Sequence, residues 1–401
     1  MGVGEHRASR RIGTVADARR LARRRVPGPV WDYLEGGAGA ETTLRANMAA
    51  FEQVQLRPRV AAAAGTPAPD LTTTVLGAEV SMPLLLGPVG FTRMMDPAGD
   101  VAAAGAAAAA GTLLTLSSMS GHAIAEVAAA AAGPLWFQLY FLGGRAGAEQ
   151  LVDRARRAGY RALVVTVDTP VPGNRERDLR HHLAPPLRLD RRTVVKMAPR
   201  VLPHPRWLVD AARDRFRLDL VNASSLLLDG KAMSSAEALL YWLGSPARWE
   251  DFAWLRRLWE GPIVAKGVLT GDDARRAVDV GVDGVVVSNH GGRQLDGVAP
   301  SVAALVEVVA AVGDQVEVFV DGGVRRGTDV VKALALGARA AMVGRAWAYG
   351  LAAAGRPGVD RVLTLLRQDI DRTMRLAGAA SVAEIDETLV RVPRGWARRG
   401  G

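Results

Sequence analysis

The chain has 401 residues, of which 49% are hydrophobic and 23% charged, the make-up of a globular protein long enough for one large barrel or two ordinary domains. Cysteine is absent, which excludes disulfides, thiolate nucleophiles and cysteine-held metals; no metal site is expected. The net charge of +10 invites a nucleic-acid reading, but the basic residues are scattered arginines with only four lysines (Lys196, Lys231, Lys266, Lys332), and nucleic acid is not expected as a partner.

Residues 1–25 are basic but lack the apolar centre of a secretory signal. No long apolar run is free of glycine and charge, so no membrane span is expected and the default location is the cytoplasm. Residues 1–60 read as short helices, with Arg19, Arg20, Arg23, Arg24 and Arg25 at helical spacing as a solvated face. From residue 84 onward, strands are expected at 84–87, 113–116, 135–139, 162–166, 263–266, 284–288, 317–320 and 340–343. Helical patterns lie between them at 98–110, 123–131, 145–158, 249–258, 270–280, 301–312 and 327–336. Continuous apolar strands separated by helices require a parallel sheet buried on both faces. Eight such units predict an α/β fold, a (β/α)8 TIM barrel. The first strand is followed by Pro88-Val89-Gly90-Phe91 rather than a Gly-rich dinucleotide turn, which argues against an open doubly wound sheet.

The chain is therefore read as one barrel domain over 1–401, with an N-terminal helical segment (1–60) and a long insertion after strand four (173–248). Insertions of that length serve as lids, oligomer contacts or surface elements. The apolar pieces at 207–209, 226–228 and 239–243 are expected to be packing surface, with peripheral membrane contact as the lesser alternative.

Polar residues collect just past several strand ends, where a barrel active site belongs. Strand six runs into Ser288-Asn289-His290-Gly291-Gly292-Arg293-Gln294-Leu295-Asp296: a His uncovered by neighbouring glycines, with a planar cation three residues on. A general base beside a carboxylate clamp suits proton abstraction next to a carboxyl group. Strand seven ends in Asp321-Gly322-Gly323-Val324-Arg325 and strand eight in Gly344-Arg345, where glycine backbone and two Arg side chains suit a phosphate. Lys266 closes strand five inside an apolar run and needs a negative partner. Asp168 ends strand four and could orient His290. Gln138 and Tyr140 share one alternation of strand three.

Together these strings, in this order over about residues 14–380, resemble the FMN-dependent 2-hydroxy-acid oxidase/dehydrogenase family of glycolate oxidase, lactate oxidase and mandelate dehydrogenase. The resemblance implies that His290 takes the substrate proton while a hydride equivalent reaches FMN; concerted hydride transfer and a carbanion route both stay open. It implies Asp168 as support for His290. Arg293, Arg175, Tyr33 and Tyr140 hold the substrate, Lys266 stabilises the reduced flavin, and Pro88, Val89, Gly90, Ser117, Gln138, Thr166 and Ser288 are flavin contacts. Asp321, Gly322, Gly323 and Arg325 with Gly344 and Arg345 cradle the ribityl chain and phosphate. A homotetramer is implied too, with oxygen, a quinone or a separate carrier as electron acceptor. Met119 stands where glycolate-type members carry Trp, and Gly90 where many carry Ala; this suggests more room and an aryl or long-chain 2-hydroxy acid. The alternatives are an amine or peptide-derived substrate, an isomerase, or a sugar-phosphate lyase using Lys266 as a Schiff base.

Overall fold

The computed structural model describes residues 8–62, 68–180, 198–217, 219–228, 231–235, 237, 240 and 245–396. The eight expected strands are present as β1 (Leu84–Leu86), β2 (Leu114–Ser117), β3 (Leu135–Leu139), β4 (Ala162–Thr166), β5 (Ile263–Val268), β6 (Gly284–Val287), β7 (Glu317–Val320) and β8 (Ala340–Val343). They pair in sequence order, all parallel, and β8 returns to β1 to close a (β/α)8 barrel. The expected helices lie between them, each within a few residues of the sequence reading.

Strand alternation divides the core in two. One parity, including Leu85, Trp136, Val164, Val264, Val286, Phe319 and Met342, fills the barrel interior, and Val75 and Val80 of the hairpin Thr73–Val75/Ala78–Val80 join it. The other parity, including Phe137, Leu163, Val165, Ala265, Val287, Val320 and Val343, packs outward under the helices. Continuing the inward parity past the apolar layer gives Gln138, Thr166, Lys266, Ser288, Asp321 and Gly344. The same alternation that fills the core thus delivers polar groups to the floor of the barrel mouth. Trp136 Nε1 and Thr115 Oγ1 lie in this interior without a hydrogen-bond partner among the described residues.

The N-terminal segment forms three helices, Val15–Arg25, Gly28–Glu35 and Thr42–Gln53. Thr14 caps the first by accepting from Asp17 N at 3.1 Å, and Pro29 sits in the first turn of the second. The arginine cluster is not simply solvated. Arg25 is largely buried, bonding Asp96 and Asp210 at 2.9 Å each, and Arg19 pairs with Glu35 and lies over the Trp31 ring. A helix from Arg345 to Ala377, kinked at Ala354 and Gly355, was not expected from the sequence; it packs on Val15–Arg25 and Gly99–Ala109.

In the insertion, helices Glu176–Leu179, Pro205–Arg213 and Val221–Ser224 are described, with a short strand pair Leu227–Leu228 and Lys231–Ala232. Of its apolar pieces, Leu226 is buried, while Val209 and Leu227 are exposed. The piece at 239–243 lies outside the described residues, apart from the exposed Leu240. Among the described residues, no helix is long and apolar enough to cross a membrane.

Candidate active site

A cavity of about 570 Å³ opens at the C-terminal end of the barrel. Its lining includes Tyr33, Pro88, Val89, Gly90, Ser117, Gln138, Tyr140, Thr166, Arg175, Lys266, His290, Arg293, Asp321, Gly322, Gly323, Arg325, Gly344 and Arg345. Sequence-expected residues from eight strand ends and the N-terminal segment therefore meet in one place. Two do not line it. Ser288 lies beneath, its Oγ accepting from Lys266 Nζ at 2.9 Å and from the His290 backbone N–H at 3.0 Å, and Asp168 stands behind His290.

His290 has a left-handed backbone (φ 58°), unusual outside glycine, which turns its ring into the mouth. Its Nδ1 is 3.2 and 3.3 Å from the two Asp168 oxygens, and Nε2 is 3.5 Å from the Tyr140 hydroxyl. A carboxylate at Nδ1 requires the proton there, leaving the Nε2 lone pair toward the cavity. Burial, with help from Lys266 and Arg175, pushes the His290 pKa below its ordinary value despite Asp168. Burial opposes ionisation of Asp168, but His290 and Lys266 outweigh it and hold that carboxyl low. The pair rests as neutral imidazole and carboxylate, which is a poised general base. Tyr140 is raised, first by burial and then by the Asp168 charge, so it stays a neutral phenol.

Two arginines face the same space. Burial and the neighbouring Arg175 charge push Arg293 down to about 9, a deficit that an anion would relieve. Arg293 is anchored by NH1 on the Tyr33 and Gly36 carbonyls (2.7 and 2.8 Å) and lies 4.9 Å over the Tyr33 ring. Arg175 Nε is buried without a partner among the described residues. Lys266 pairs with Asp321 Oδ2 at 2.9 Å, which suits a fixed ammonium rather than a free amine nucleophile and leaves the Schiff-base reading without support.

The floor is built for a polar ligand. Asp321 Oδ1 is buried with no hydrogen-bond partner among the described residues, an acceptor suited to a ligand hydroxyl. Ser117 Oγ donates to Gln138 Oε1 and Gln138 Nε2 to Thr166 Oγ1, both at 3.1 Å. Gly344 caps the helix starting at Arg345, so that helix's first N–H groups face the cavity end. The Arg345 guanidinium is fixed at the cavity edge by donating to the carbonyls of Leu34, Gly36 and Gly291 (3.1, 2.8 and 2.8 Å), and Arg325 lies 5.8 Å from the Tyr349 ring centre. Sugar hydroxyls, a planar ring over Lys266 and a phosphate at the helix end match these donors and acceptors, so the residues fit FMN.

Gly90 does not leave open space. A Cβ there would lie 2.9 Å from Met119 Cβ and 3.4 Å from the Tyr33 hydroxyl, so glycine at this position serves a close approach rather than extra room.

Sequence reasoning missed the clamp on the His290 loop. Asn289 and Asn47 exchange reciprocal side-chain bonds at 2.8 Å, and Asn289 Oδ1 also accepts from Gly292 N at 3.0 Å. Asp296 caps the helix Thr42–Gln53 by accepting from Thr43 N at 2.7 Å and Thr42 N at 3.2 Å. Gln294 donates to the carbonyls of Asp168 and Val171 (2.9 and 3.0 Å) and accepts from Gly173 N at 3.1 Å. Phe91, Met94, Met95 and Leu179 also line the cavity, giving it an apolar side.

A family model described as FMN-dependent dehydrogenase matches residues 22–392. Pre-mycofactocin synthase of Mycobacterium tuberculosis (strain ATCC 25618 / H37Rv) is 44% identical over 96% of this chain and 96% of its own. L-lactate dehydrogenase of Caulobacter vibrioides (strain NA1000 / CB15N) is 43% identical over 96% of this chain and 99% of its own. Among solved structures, the monotopic membrane protein (S)-mandelate dehydrogenase superposes with a TM-score of 0.86 at 39% identity, covering 95% of this chain and 99% of that one.

Proposed function

This chain belongs to the FMN-dependent dehydrogenase family, and on that footing we propose that it oxidises a 2-hydroxy acid to the 2-oxo acid with His290 as the proton acceptor. The observation that carries the reading is the His290–Asp168 pair held beside Arg293 and Arg175 in one cavity. The two arginines bind the substrate carboxylate, and Tyr33 and Tyr140 hold its carboxylate and hydroxyl. His290 Nε2 then receives the hydroxyl proton, and Asp168 stabilises the imidazolium that results. FMN, when bound, would supply the acceptor for the α-hydrogen together with the two electrons of its C–H bond, a hydride equivalent. Lys266, Gln138, Ser117, Thr166 and the Pro88–Gly90 backbone hold its ring; Asp321, Gly322, Gly323, Arg325 and the Gly344–Arg345 backbone hold its ribityl phosphate. Ser288 acts beneath, fixing Lys266 and His290.

The apolar side formed by Phe91, Met94, Met119 and Leu179 supports a substituent larger than that of glycolate, and the relatives named for L-lactate and (S)-mandelate support a small or aryl acid of that hand. The chain works as one FMN-binding unit, in which the described part of the N-terminal segment braces the site and residues 173–179 line one side of it. The assembly is read as a cytoplasmic homotetramer. Exposed Leu202, Val209 and Phe216 lie among Arg206, Arg213 and Arg217, and a related structure is described as monotopic, which together support contact of the insertion with an anionic membrane surface.

The test is anaerobic addition of a panel of 2-hydroxy acids to the purified yellow protein. Bleaching by lactate or mandelate is expected, and the speed of recolouring in air separates oxygen from a quinone or carrier as acceptor. A protein that neither holds nor takes up FMN contradicts the reading.

A further inference from the structure

The turn Thr92–Met94 and the residues around it connect the substrate side of the cavity to the insertion. Phe91 enters it with a left-handed backbone (φ 57°), and its ring meets Tyr33 edge-on at 5.6 Å. Phe91, Met94 and Met95 line the cavity, whereas no described residue of 198–217 does. Yet the helix Pro205–Arg213 is bolted to the back of this turn by side chains from both partners. Trp207 Nε1 donates to the Met94 carbonyl at 2.8 Å. Arg93, from within the turn, makes a two-pronged pair with Asp214 (2.7 and 2.6 Å) and donates to the Gly121 carbonyl at 2.8 Å. Arg25 joins Asp96, just past the turn, to Asp210 on the insertion helix at 2.9 Å each.

These contacts are more than surface decoration. Arg93 and Asp214 side chains are only 11% and 16% exposed, so the pair is largely desolvated and planar fork geometry fixes its angle. Trp207 packs against the main core, and its N–H is satisfied by a main-chain carbonyl of a residue whose side chain forms the cavity wall. A one-ångström shift of such a wall changes which substituents are gripped, because an apolar pocket gains only through close contact.

We propose that Trp207 and the Arg93–Asp214 pair are positioning residues for substrate size: through the Met94 wall they let the insertion set which 2-hydroxy acids bind, without touching the reacting atoms. This rests on the 2-hydroxy-acid reading above. Small acids held only by the arginines are indifferent to the wall, whereas acids with an apolar substituent depend on it.

The experiment compares kcat and KM for lactate and for mandelate in Trp207→Phe, which removes the N–H together with the pyrrole half of the ring, and Asp214→Asn, which removes the charge and one of the two acceptor oxygens of the fork. FMN content serves as the folding control. Both variants are expected to retain FMN and lactate kcat/KM within about twofold while mandelate kcat/KM falls about five- to tenfold through KM, less than loss of a whole apolar contact would give. Arg93→Lys with Asp214→Glu, which keeps the charges but loses the fork, is expected to restore the mandelate value only in part. Equal losses on both acids, losses confined to kcat, or an unchanged mandelate-to-lactate ratio would each overturn the proposal. A wild-type protein that no 2-hydroxy acid bleaches fails earlier, overturning the underlying reading and this inference with it.

Discussion

At His290 a neutral ring must hold one nitrogen lone pair toward substrate, and its surroundings work on the pKa in opposite directions. Burial lowers it and Asp168 raises it, with the net below the ordinary value of 6.5. The base form therefore dominates at neutral pH and is lost as pH falls through that lowered value. The expected kcat/KM profile for the favoured acid is flat around neutrality, with an acid limb below pH 6.5. Asp168→Asn removes the group that raises the His290 pKa, so the limb moves to still lower pH while the plateau drops; a limb moving upward would contradict the assignment. A second prediction concerns Lys266, whose side chain is 4% exposed and paired with Asp321. Asp321→Ala takes away the carboxylate that neutralises that buried charge, leaving it the Ser288 hydroxyl, and should destabilise the fold by about 3–5 kcal/mol, measured by denaturant unfolding of the FMN-free protein.

Among the elements, the N-terminal helices belong to the site as much as the barrel does. Arg293 and Arg345 satisfy carbonyls at the C-terminal end of Gly28–Glu35, where a helix leaves acceptors unpaired. Asn47 and Asp296 tie Thr42–Gln53 to the loop bearing the left-handed His290. Asn47→Ala should cost about 1–3 kcal/mol of stability, since it orphans part of a buried amide. Flavin reduction should slow with FMN still bound, and unchanged reduction kinetics would show that the loop does not need the brace. Much of this scale was legible in the sequence. The eight strands announced themselves because both of their faces are apolar, and the polar residues at the ends of six of them (Ser117, Gln138, Thr166, Lys266, Ser288 and Asp321) mark where the inward parity meets the mouth. The clamp was not legible, because Asp296 caps a helix far away in sequence and nothing local reports it. The anchoring of Arg345 was not legible for the same reason: the carbonyls that hold its guanidinium come from Leu34, Gly36 and Gly291, far from it in sequence. The final helix escaped notice because Gly350, Gly355, Pro357 and Gly358 break its pattern. Gly350 and Gly358 are close-contact residues, since a Cβ on Gly358 would fall 2.0 Å from the Gly350 carbonyl.

The whole molecule carries a net charge of +10, and part of it lies on the insertion beside exposed apolar side chains. If that face meets a membrane, the protein should float with vesicles rich in phosphatidylglycerol at low salt and be released as salt rises. Val209→Glu with Phe216→Glu should abolish flotation, and flotation equally strong on neutral vesicles would argue against the basic contribution. Light scattering should give four copies of the chain per particle; a monomer would contradict the tetramer. None of this alters the chemistry at the barrel mouth, on which the account chiefly rests. The most direct test is anaerobic rapid mixing of wild type and His290→Ala, each loaded with FMN, with the acid that best bleaches the wild type. The variant should keep its flavin spectrum and reduce it about 10²–10⁴-fold more slowly, the usual contribution of a general base. Reduction at near wild-type speed would mean that His290 is not the proton acceptor.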